Sequence, residues 1–428
     1  MASEVLEIAA MGAAGDGIAR HAGGTVFVPG ALPGEIVRAE IAGQRAKPEA
    51  WLRESPDRIA PLCRHFGSCG GCTLQHWAAA PYAAWKREKL VAALAAAGFR
   101  DAPVAELVRV PAASRRRADL ALRRAAGSIT LGLHATGQGA VVDLAECHVL
   151  DPRLVALFEP LRALLRRLPA LKREGSAVLN LLDTGPDLLL RTDGVLDAAG
   201  RALLAGFAQA HGLPRIAWAQ GRAQGSGQGN RPAENAVQLG PVALRFGSAS
   251  VAPPPGAFLQ ASPGGEAAII AAVLAGLPPK LPARARIVEL HAGLGTLSFA
   301  LATRARVEAY EGAAEAVAAL AAAAGASGAR IRATRRDLDR QPLAPAELHG
   351  VASLVLDPPY AGAAAQMPLL ARARPPRILY VSCNPAALAR DAKPLAQAGY
   401  RVVAATPIDQ FPWSAHLEAV VAFSLGTT

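Results

Sequence analysis

No stretch of about 18 uninterrupted apolar residues, the length that spans a bilayer as a helix, occurs in the 428-residue chain. The longest apolar runs, Ala267 to Leu277 and Ala316 to Ala326, are rich in alanine and read as packed helices, so no membrane span is expected. The opening Met1-Ala2-Ser3-Glu4, with Glu7 close behind, lacks the basic start and apolar core of a secretory signal; a cytoplasmic protein is expected. Cysteine is scarce: five, an odd number, which argues against a disulfide framework in a reducing compartment and leaves the thiols needing another explanation. Acidic residues are outnumbered, 34 against 45 Lys and Arg, for a net charge of +11. Such a surface attracts a polyanion, nucleic acid foremost, with an affinity that weakens in salt; a basic drift in an alanine- and arginine-rich composition would give the same excess. With 52% hydrophobic residues, wholesale disorder is excluded and the length suffices for two or three domains.

Three regions are expected. Residues 1–58 hold short β-rich runs, Val5 to Ile8, Gly24 to Val28 and Glu35 to Ile41, punctuated by Val28-Pro29-Gly30 and Leu32-Pro33-Gly34, the pattern of a small barrel of the kind that carries nucleic acid. Residues 59–252 hold a glycine-rich cysteine loop and a helix from Ala83 to Ala97. A β-rich stretch from Ser114 to Phe246 follows, carrying Arg115-Arg116-Arg117 and Arg123-Arg124, with a loop at Gln220 to Asn230. Residues 253–428 alternate β runs with alanine-rich helices, the signature of an open parallel sheet. Seven strands are predicted, at Arg286 to Leu290, Arg306 to Glu311, Ile331 to Thr334, Ala352 to Leu356, Arg377 to Val381, Tyr400 to Pro407 and Leu417 to Phe423. No repeat of fixed period is present.

Chemistry gathers at the ends of these strands, where open sheets bind ligands. After the first comes Glu289-Leu290-His291-Ala292-Gly293-Leu294-Gly295-Thr296, whose glycines permit a tight turn before a helix start with free N–H groups. The dinucleotide fingerprint is incomplete, because Ser298 stands at its third glycine. Glu311 closes the next strand, where an acid can hold both hydroxyls of a ribose, and Asp337 follows the third, placed for an adenine amino group. Together they suggest an adenosine cofactor without a pyrophosphate, for which S-adenosylmethionine fits best. Asp357-Pro358-Pro359-Tyr360 after the fourth strand could instead grip an exocyclic amino group of a base, a rival chemistry.

The fifth strand ends in Tyr380-Val381-Ser382-Cys383-Asn384-Pro385, and a helix begins at once. A cysteine at a helix start is expected to have a lowered pKa and to act as a thiolate. Near the last strand, His416-Leu417-Glu418 supplies a carboxylate able to accept a proton. Uracil C5 is a poor nucleophile until a thiolate adds to C6; the C5 proton must then leave so the thiolate can depart, so such a reaction needs both groups. The run from Tyr380 to Asp391, with Phe411-Pro412 and His416-Leu417-Glu418, closely resembles the RNA uracil-C5 methyltransferase family, which forms 5-methyluridine. The resemblance implies a class I, Rossmann-like seven-stranded methyltransferase sheet with Cys383 as nucleophile and Glu418 as proton acceptor. It also implies that Gln260, His291, Gly293, Thr296, Glu311, Asp337 and Asp357 line the S-adenosylmethionine pocket, Gln260 and Asp357 also facing the target base. The chain departs from the family at Tyr360, usually Arg, at His291, usually aromatic, and at Thr296 and Ser262, each usually Asn.

Four thiols remain. Cys63, Cys69 and Cys72 lie in one loop and Cys147 in a later segment; three clustered thiols plus a distant fourth can complete a zinc or an iron-sulfur site. The resemblance selects a 4Fe-4S cluster, since Cys-x5-Cys-Gly-Gly-Cys followed by Gln75 looks like the ribosomal-RNA branch of the family, with a structural or RNA-positioning role. It identifies residues 4–55 as similar to a TRAM domain, an OB-like RNA-binding barrel, through the turn from Val28 to Glu35. Large-subunit (23S) ribosomal RNA is the implied substrate, with no obligate protein partner evident. Three alternatives stand: a tRNA substrate, amino-group methylation at the Asp357 turn, and a nonenzymatic RNA-binding assembly factor.

Overall fold

The computed structural model describes residues 3–136, 139–221 and 232–426; most of the loop expected at Gln220 to Asn230 lies outside them. Five strands, β1 (Ser3–Met11), β2 (Gly17–His21), β3 (Gly24–Val28), β4 (Ile36–Ala42) and β5 (Arg45–Arg53), close a barrel in the order β1-β2-β3-β5-β4. Alternate residues such as Leu6, Ile8, Val26, Val28, Val37 and Ala39 fill it. The turn into β4 is organised by Glu35, whose buried carboxylate accepts from Leu32 N (2.8 Å), Trp51 Nε1 (3.0 Å) and Ser55 N (3.2 Å) and pairs with Arg58 (2.6 Å). Burial alone would raise its pKa; these donors outweigh burial and hold it below the usual carboxylate value.

Beyond the cysteine loop come α1 (Ala79–Ala96) and β6 (Val108–Arg109), then β7 (Arg117–Ala125), β8 (Ser128–His134) and β9 (Val141–Asp143). Helices α2 (Pro152–Val155) and α3 (Phe158–Arg167) precede β10 (Glu174–Leu182) and β11 (Gly185–Thr192); α4 (Ala198–His211), β12 (Arg215–Gln220) and β13 (Glu234–Gln238) follow. The central sheet has the order β13-β12-β11-β10-β7-β8-β9. Leucine-rich α3 and alanine-rich α4 pack on one face of it, burying Leu120, Leu122, Leu179, Leu188, Leu190 and Ile216.

A hairpin, β14 (Leu244–Phe246) and β15 (Ala249–Val251), leads into the third unit. There α5 (Pro263–Gly276), β16 (Arg286–Leu290), α6 (Thr296–Ala302), β17 (Arg306–Glu311), α7 (Ala314–Ser327), β18 (Ile331–Arg335) and β19 (Ser353–Leu356) are followed by α8 (Met367–Ala373), β20 (Arg377–Ser382), α9 (Pro385–Gln397), β21 (Tyr400–Asp409) and β22 (Glu418–Leu425). The sheet order is β18-β17-β16-β19-β20-β22-β21-β6, with β22 antiparallel to both its neighbours. Successive side chains serve opposite faces: Leu379, Val381, Val420 and Ala422 pack on one side, Ile378, Tyr380, Val421 and Phe423 on the other. This explains why these strands read as unbroken apolar runs.

The seven strands expected here are all present. An eighth, the two-residue β6, pairs with Ile408 and Asp409 of β21, and α1 packs against α9. Packing therefore crosses the boundaries drawn from sequence: residues 79–109 lie with the third unit's sheet, and hairpin residues Leu244, Phe246, Ala249 and Val251 join its core. Among the described residues no helix is long and apolar enough to cross a membrane.

Candidate active site

Strand order reverses between β16 and β19, and the crevice at such a point is where open sheets take their ligands. After β16 the chain turns through His291 to Gly295. Gly295 holds φ 95°, and a Cβ there would meet Leu320 Cδ1 at 2.5 Å, so glycine alone closes the turn. His291 itself adopts a left-handed φ of 61°, and burial lowers its imidazole pKa. Glu311, at the end of β17, accepts from Gly293 N at 2.9 Å and from Ala313 N at 2.8 Å, tying the acid to the glycine turn. Thr296 opens α6 beside them. Asp337 lies on the exposed rim, its carboxylate accepting from Arg340 N at 3.1 Å and facing the Arg340 side chain at 3.6 Å.

Cys383 occupies the turn between β20 and α9. Asn384 caps the helix, its Oδ1 accepting from Ala386 N (3.1 Å) and Ala387 N (3.4 Å), while its Nδ2 donates to Tyr360 O (3.0 Å). Ser382 Oγ accepts from Asn384 N at 3.2 Å and tightens the same turn. The expected fall in thiol pKa is not what this setting produces. Burial pushes the Cys383 thiol up to about 12, and the neighbouring carboxylates of Glu418 and Asp357 add to the rise. The helix start does not offset burial and the two neighbouring carboxyl groups.

Glu418 begins β22. The ladder pairs Ser382 with Ala419, which brings Cys383, the next residue, near enough to Glu418 to feel its charge. Glu418 is 3% exposed; burial, reinforced by Asp357, raises its pKa, while Gln410 opposes the rise. Burial likewise raises Asp357, opposed by Gln260. The two carboxylates are joined through a pair of amides: Gln260 Nε2 donates to Asp357 Oδ2 (3.1 Å), and Gln410 Nε2 donates to both Gln260 Oε1 (3.2 Å) and Glu418 Oε2 (2.7 Å). Arg116, buried, fixes the Gln260 segment by donating to Gln260 O at 3.0 Å and pairing with Glu266.

A cavity of about 760 Å³ opens beside Cys383 and runs to the cysteine loop. Tyr360, Phe411 and His416 line its mouth, with ring contacts of His416 to Tyr360 (6.1 Å) and to Phe411 (5.9 Å). Cys63, Cys69, Cys72 and Cys147 line its far end with Arg115 and Arg117. The two cysteine segments are stitched together: Ala145 N donates to His65 Nε2 (3.1 Å) and Arg64 N to Glu146 Oε1 (2.8 Å). Gln75 Oε1 accepts from Cys63 N at 3.1 Å. Each of Cys63, Cys69 and Cys72 feels the charge of Cys147. Among the described residues, however, no three His, Cys, Asp or Glu side chains are grouped to hold a metal ion.

Of the five arginines in the runs Arg115 to Arg117 and Arg123-Arg124, Arg115 and Arg117 line this cavity, where they could meet phosphate. Arg124 instead caps α3, donating to Arg166 O (3.2 Å) and Leu171 O (2.8 Å), and Arg123 pairs with Glu174 at 3.2 Å. Side chains required to close helix ends and satisfy buried carbonyls are not free for RNA. Gln410 and Lys86 went unmarked in the sequence. Gln410 has no motif signal; Lys86 sits on the apolar face of α1, where a buried lysine needs a partner. That partner is Asp409, which also accepts from Tyr82 OH at 2.9 Å, and Lys86 Nζ reaches Phe411 O at 3.0 Å.

The strand order, the glycine turn after β16 and the acid at the end of β17 define a class I methyltransferase. A family model described as tRNA (Uracil-5-)-methyltransferase matches residues 282–425, and a TRAM domain model matches residues 5–47. An uncharacterized RNA methyltransferase of Caulobacter vibrioides is 40% identical over 98% of this chain and 99% of its own length. The 23S rRNA (uracil(1939)-C(5))-methyltransferase RlmD of Klebsiella pneumoniae is 36% identical over 96% of this chain and 93% of its own. The crystal structure of Pyrococcus abyssi tRNA (uracil-54, C5)-methyltransferase in complex with S-adenosyl-L-homocysteine superposes with a TM-score of 0.72, covering 99% of this chain and 100% of that one. At 22% identity this is a likeness of fold. The chain belongs to the RNA (uracil-C5-)methyltransferase family and is an enzyme of it. Membership favours methylation at carbon over the amino-group and nonenzymatic readings.

Proposed function

We propose that this enzyme methylates C5 of a uridine in 23S ribosomal RNA, in the cytoplasm, through Cys383 and Glu418. The observation that carries the mechanism is the juxtaposition across β20 and β22. Cys383 and Glu418 follow and precede the paired Ser382 and Ala419 and lie within each other's electrostatic reach, and Glu418 Oε1 is buried with no partner among the described residues; such an atom is costly unless a ligand satisfies it. The Cys383 thiol gives its proton to the neighbouring Asp357 carboxylate and Sγ adds to C6; the resulting enolate takes the methyl group at C5, and ionised Glu418 then removes the C5 proton so that sulfur is expelled. Burial raises the Glu418 and Asp357 carboxyls toward neutral pH, where each can give or take a proton, whereas the Cys383 thiol, pushed up to about 12, stays protonated until a base takes its proton. S-adenosylmethionine, when bound, supplies the electrophilic methyl group. Its pocket would be Gln260, His291, Gly293, Thr296, Glu311 and Asp357, with Asp337 at the rim; Glu311, held against the glycine turn by Gly293 N, stands where a ribose would lie.

The uridine must leave its stack to reach this cleft, and the exposed Tyr360 ring, 59% accessible, offers a surface for a displaced base to stack upon. Ribosomal RNA is favoured over tRNA by the RlmD relative, which matches over nearly the full length of both chains. The four thiols fit a 4Fe-4S cluster better than a single zinc. All four line one cavity, and a cluster binds four thiolates at its separate corners. Iron and sulfide in equal amounts, four of each per chain after anaerobic purification, are expected; stoichiometric zinc would overturn that assignment.

The decisive experiment is covalent trapping. With S-adenosylmethionine and 23S rRNA transcripts containing 5-fluorouridine, the wild type should form a denaturation-resistant adduct and Cys383→Ala none. Absence of any adduct on the wild type would end the proposal. Mapping 5-methyluridine in 23S rRNA and tRNA from cells with and without the enzyme assigns the substrate; a loss confined to tRNA would refute the ribosomal reading.

A further inference from the structure

Glu418 alone does not explain why its carboxylate stands as it does. Gln410, 2% exposed, lies one residue beyond β21, and its Nε2 donates to Glu418 Oε2 at 2.7 Å. The side chain is seated in a space that only a glycine leaves open: a Cβ at Gly265 of α5 would lie 2.7 Å from Gln410 Cβ and 2.7 Å from its Oε1. The backbone is held on both sides. Asp409 is gripped by Lys86 and Tyr82, Phe411 O accepts from Lys86, and β21 pairs with β6 at Ile408 and Asp409. An amide so fixed cannot swing.

We propose that Gln410 is the positioning residue of the proton-removal step: by clamping Oε2 of Glu418 it aims the free Oε1 at the C5 proton. The inference rests on the assignment of Cys383 and Glu418 made above. An amide neither gives up nor takes a proton near neutral pH, so Gln410 is not itself the base. It leaves one carboxylate oxygen engaged and the other, Oε1, unpartnered. Through Gln260 the same NH₂ group also reaches the Asp357 side of the cleft, so a chain of two amides links the two acids. In the step itself, C5 carries both its hydrogen and the new methyl group while C6 is bonded to Cys383 Sγ. The C5 proton passes to Glu418 Oε1, the C–H electron pair forms the C5=C6 double bond, and the C6–S bond breaks with its electrons returning to sulfur. Addition and methyl transfer precede this step and do not need the base to be aimed.

The test separates these stages. With a 5-fluorouridine transcript there is no C5 proton to remove, so adduct formation reports addition and methyl transfer alone. Full-length Gln410→Met, which keeps length and loses the donor, should trap the 5-fluorouridine transcript at the wild-type rate. On the matching uridine transcript it should release 5-methyluridine about 10- to 100-fold more slowly, a fraction of what a whole general base contributes, and accumulate the methylated protein–RNA adduct. Gln410→Asn, which withdraws the amide by one methylene, should show the same split. Wild-type release by variants that still trap would overturn the proposal, as would parallel loss of trapping and release in both, which marks general scaffolding. Failure of the wild type to trap is a different result: it removes the underlying assignment, and Gln410 with it.

Discussion

Cys383 is held mainly by its immediate neighbours in the chain, with one tie from Asn384 to Tyr360 O, whereas Glu418 is held from many places at once. Ser382 and Asn384 tighten the nucleophile's turn through contacts two or three residues apart. The base depends on Gln410 and Gln260, and the segment before it is anchored from further afield. Lys86 and Tyr82 of α1 grip Asp409; Lys89 donates to Ala415 O and, at 2.9 Å, to Ala13 O of the barrel; Thr73 N and Leu74 N both donate to Trp413 O at 2.9 Å. The nucleophile is thus a property of one strand-turn-helix unit, and the base a property of the assembled molecule. The first can form as soon as β20 meets α9. The second requires barrel, cysteine loop, α1 and sheet together.

The largest effect that would break this contrast is expected at Lys86. It is wholly buried beside the 2% exposed Asp409, and burial lowers its pKa to about 8 despite the support of Asp409. Lys86→Met leaves a buried carboxylate without its cation, a loss that costs about 3–5 kcal/mol in comparable pairs; a denaturant titration measures it. Because Asp409 precedes Gln410, release of 5-methyluridine should fall further than trapping of 5-fluorouridine RNA. Lys86→Met/Asp409→Asn should recover part of the stability. If the single variant were as stable as the wild type, α1 would not anchor the segment that carries the base.

The same division decides what could be read from residues alone. The strands of the third unit were legible almost to the residue, since β16 and β17 begin and end where the alternating β and alanine-rich segments place them. The glycine turn and Cys383 were legible too, being local: residue types over a few positions fix the backbone there. Two barrel strands escaped notice. β5 carries Pro48 and charged residues along an exposed stretch, and β2 is five residues with a short apolar alternation. β6 has two residues and no period at all. Gln410 lacked any signal, because what matters about it is its distance to Glu418, Gln260 and Gly265, none of which sequence supplies. The rise of the thiol pKa has the same origin: the helix start is local, but the burial that raises the pKa, and after burial the carboxyl groups at the ends of β19 and β22, come from the assembled fold.

The smallest expected effect lies on the nucleophile's side and sharpens the contrast from there. Asn384 is the N-cap of α9, and losing a side-chain cap costs about 1 kcal/mol. Asn384→Ala should lower the unfolding free energy by that amount, well short of the Lys86 variant. It also removes the contact of Nδ2 with Tyr360 O at 3.0 Å, so the thiol turn and the loop after β19 lose their tie. The consequence should be a slower trapping rate, with release following trapping in proportion, because the base segment is untouched. That is the reverse of the pattern at Lys86, where trapping survives better than release. Rapid-quench trapping beside single-turnover release, run on both variants, therefore reads the two holdings separately. If Asn384→Ala slowed release without slowing trapping, the turn would be governing the base as well, and the separation between a locally built nucleophile and a globally built base would not hold.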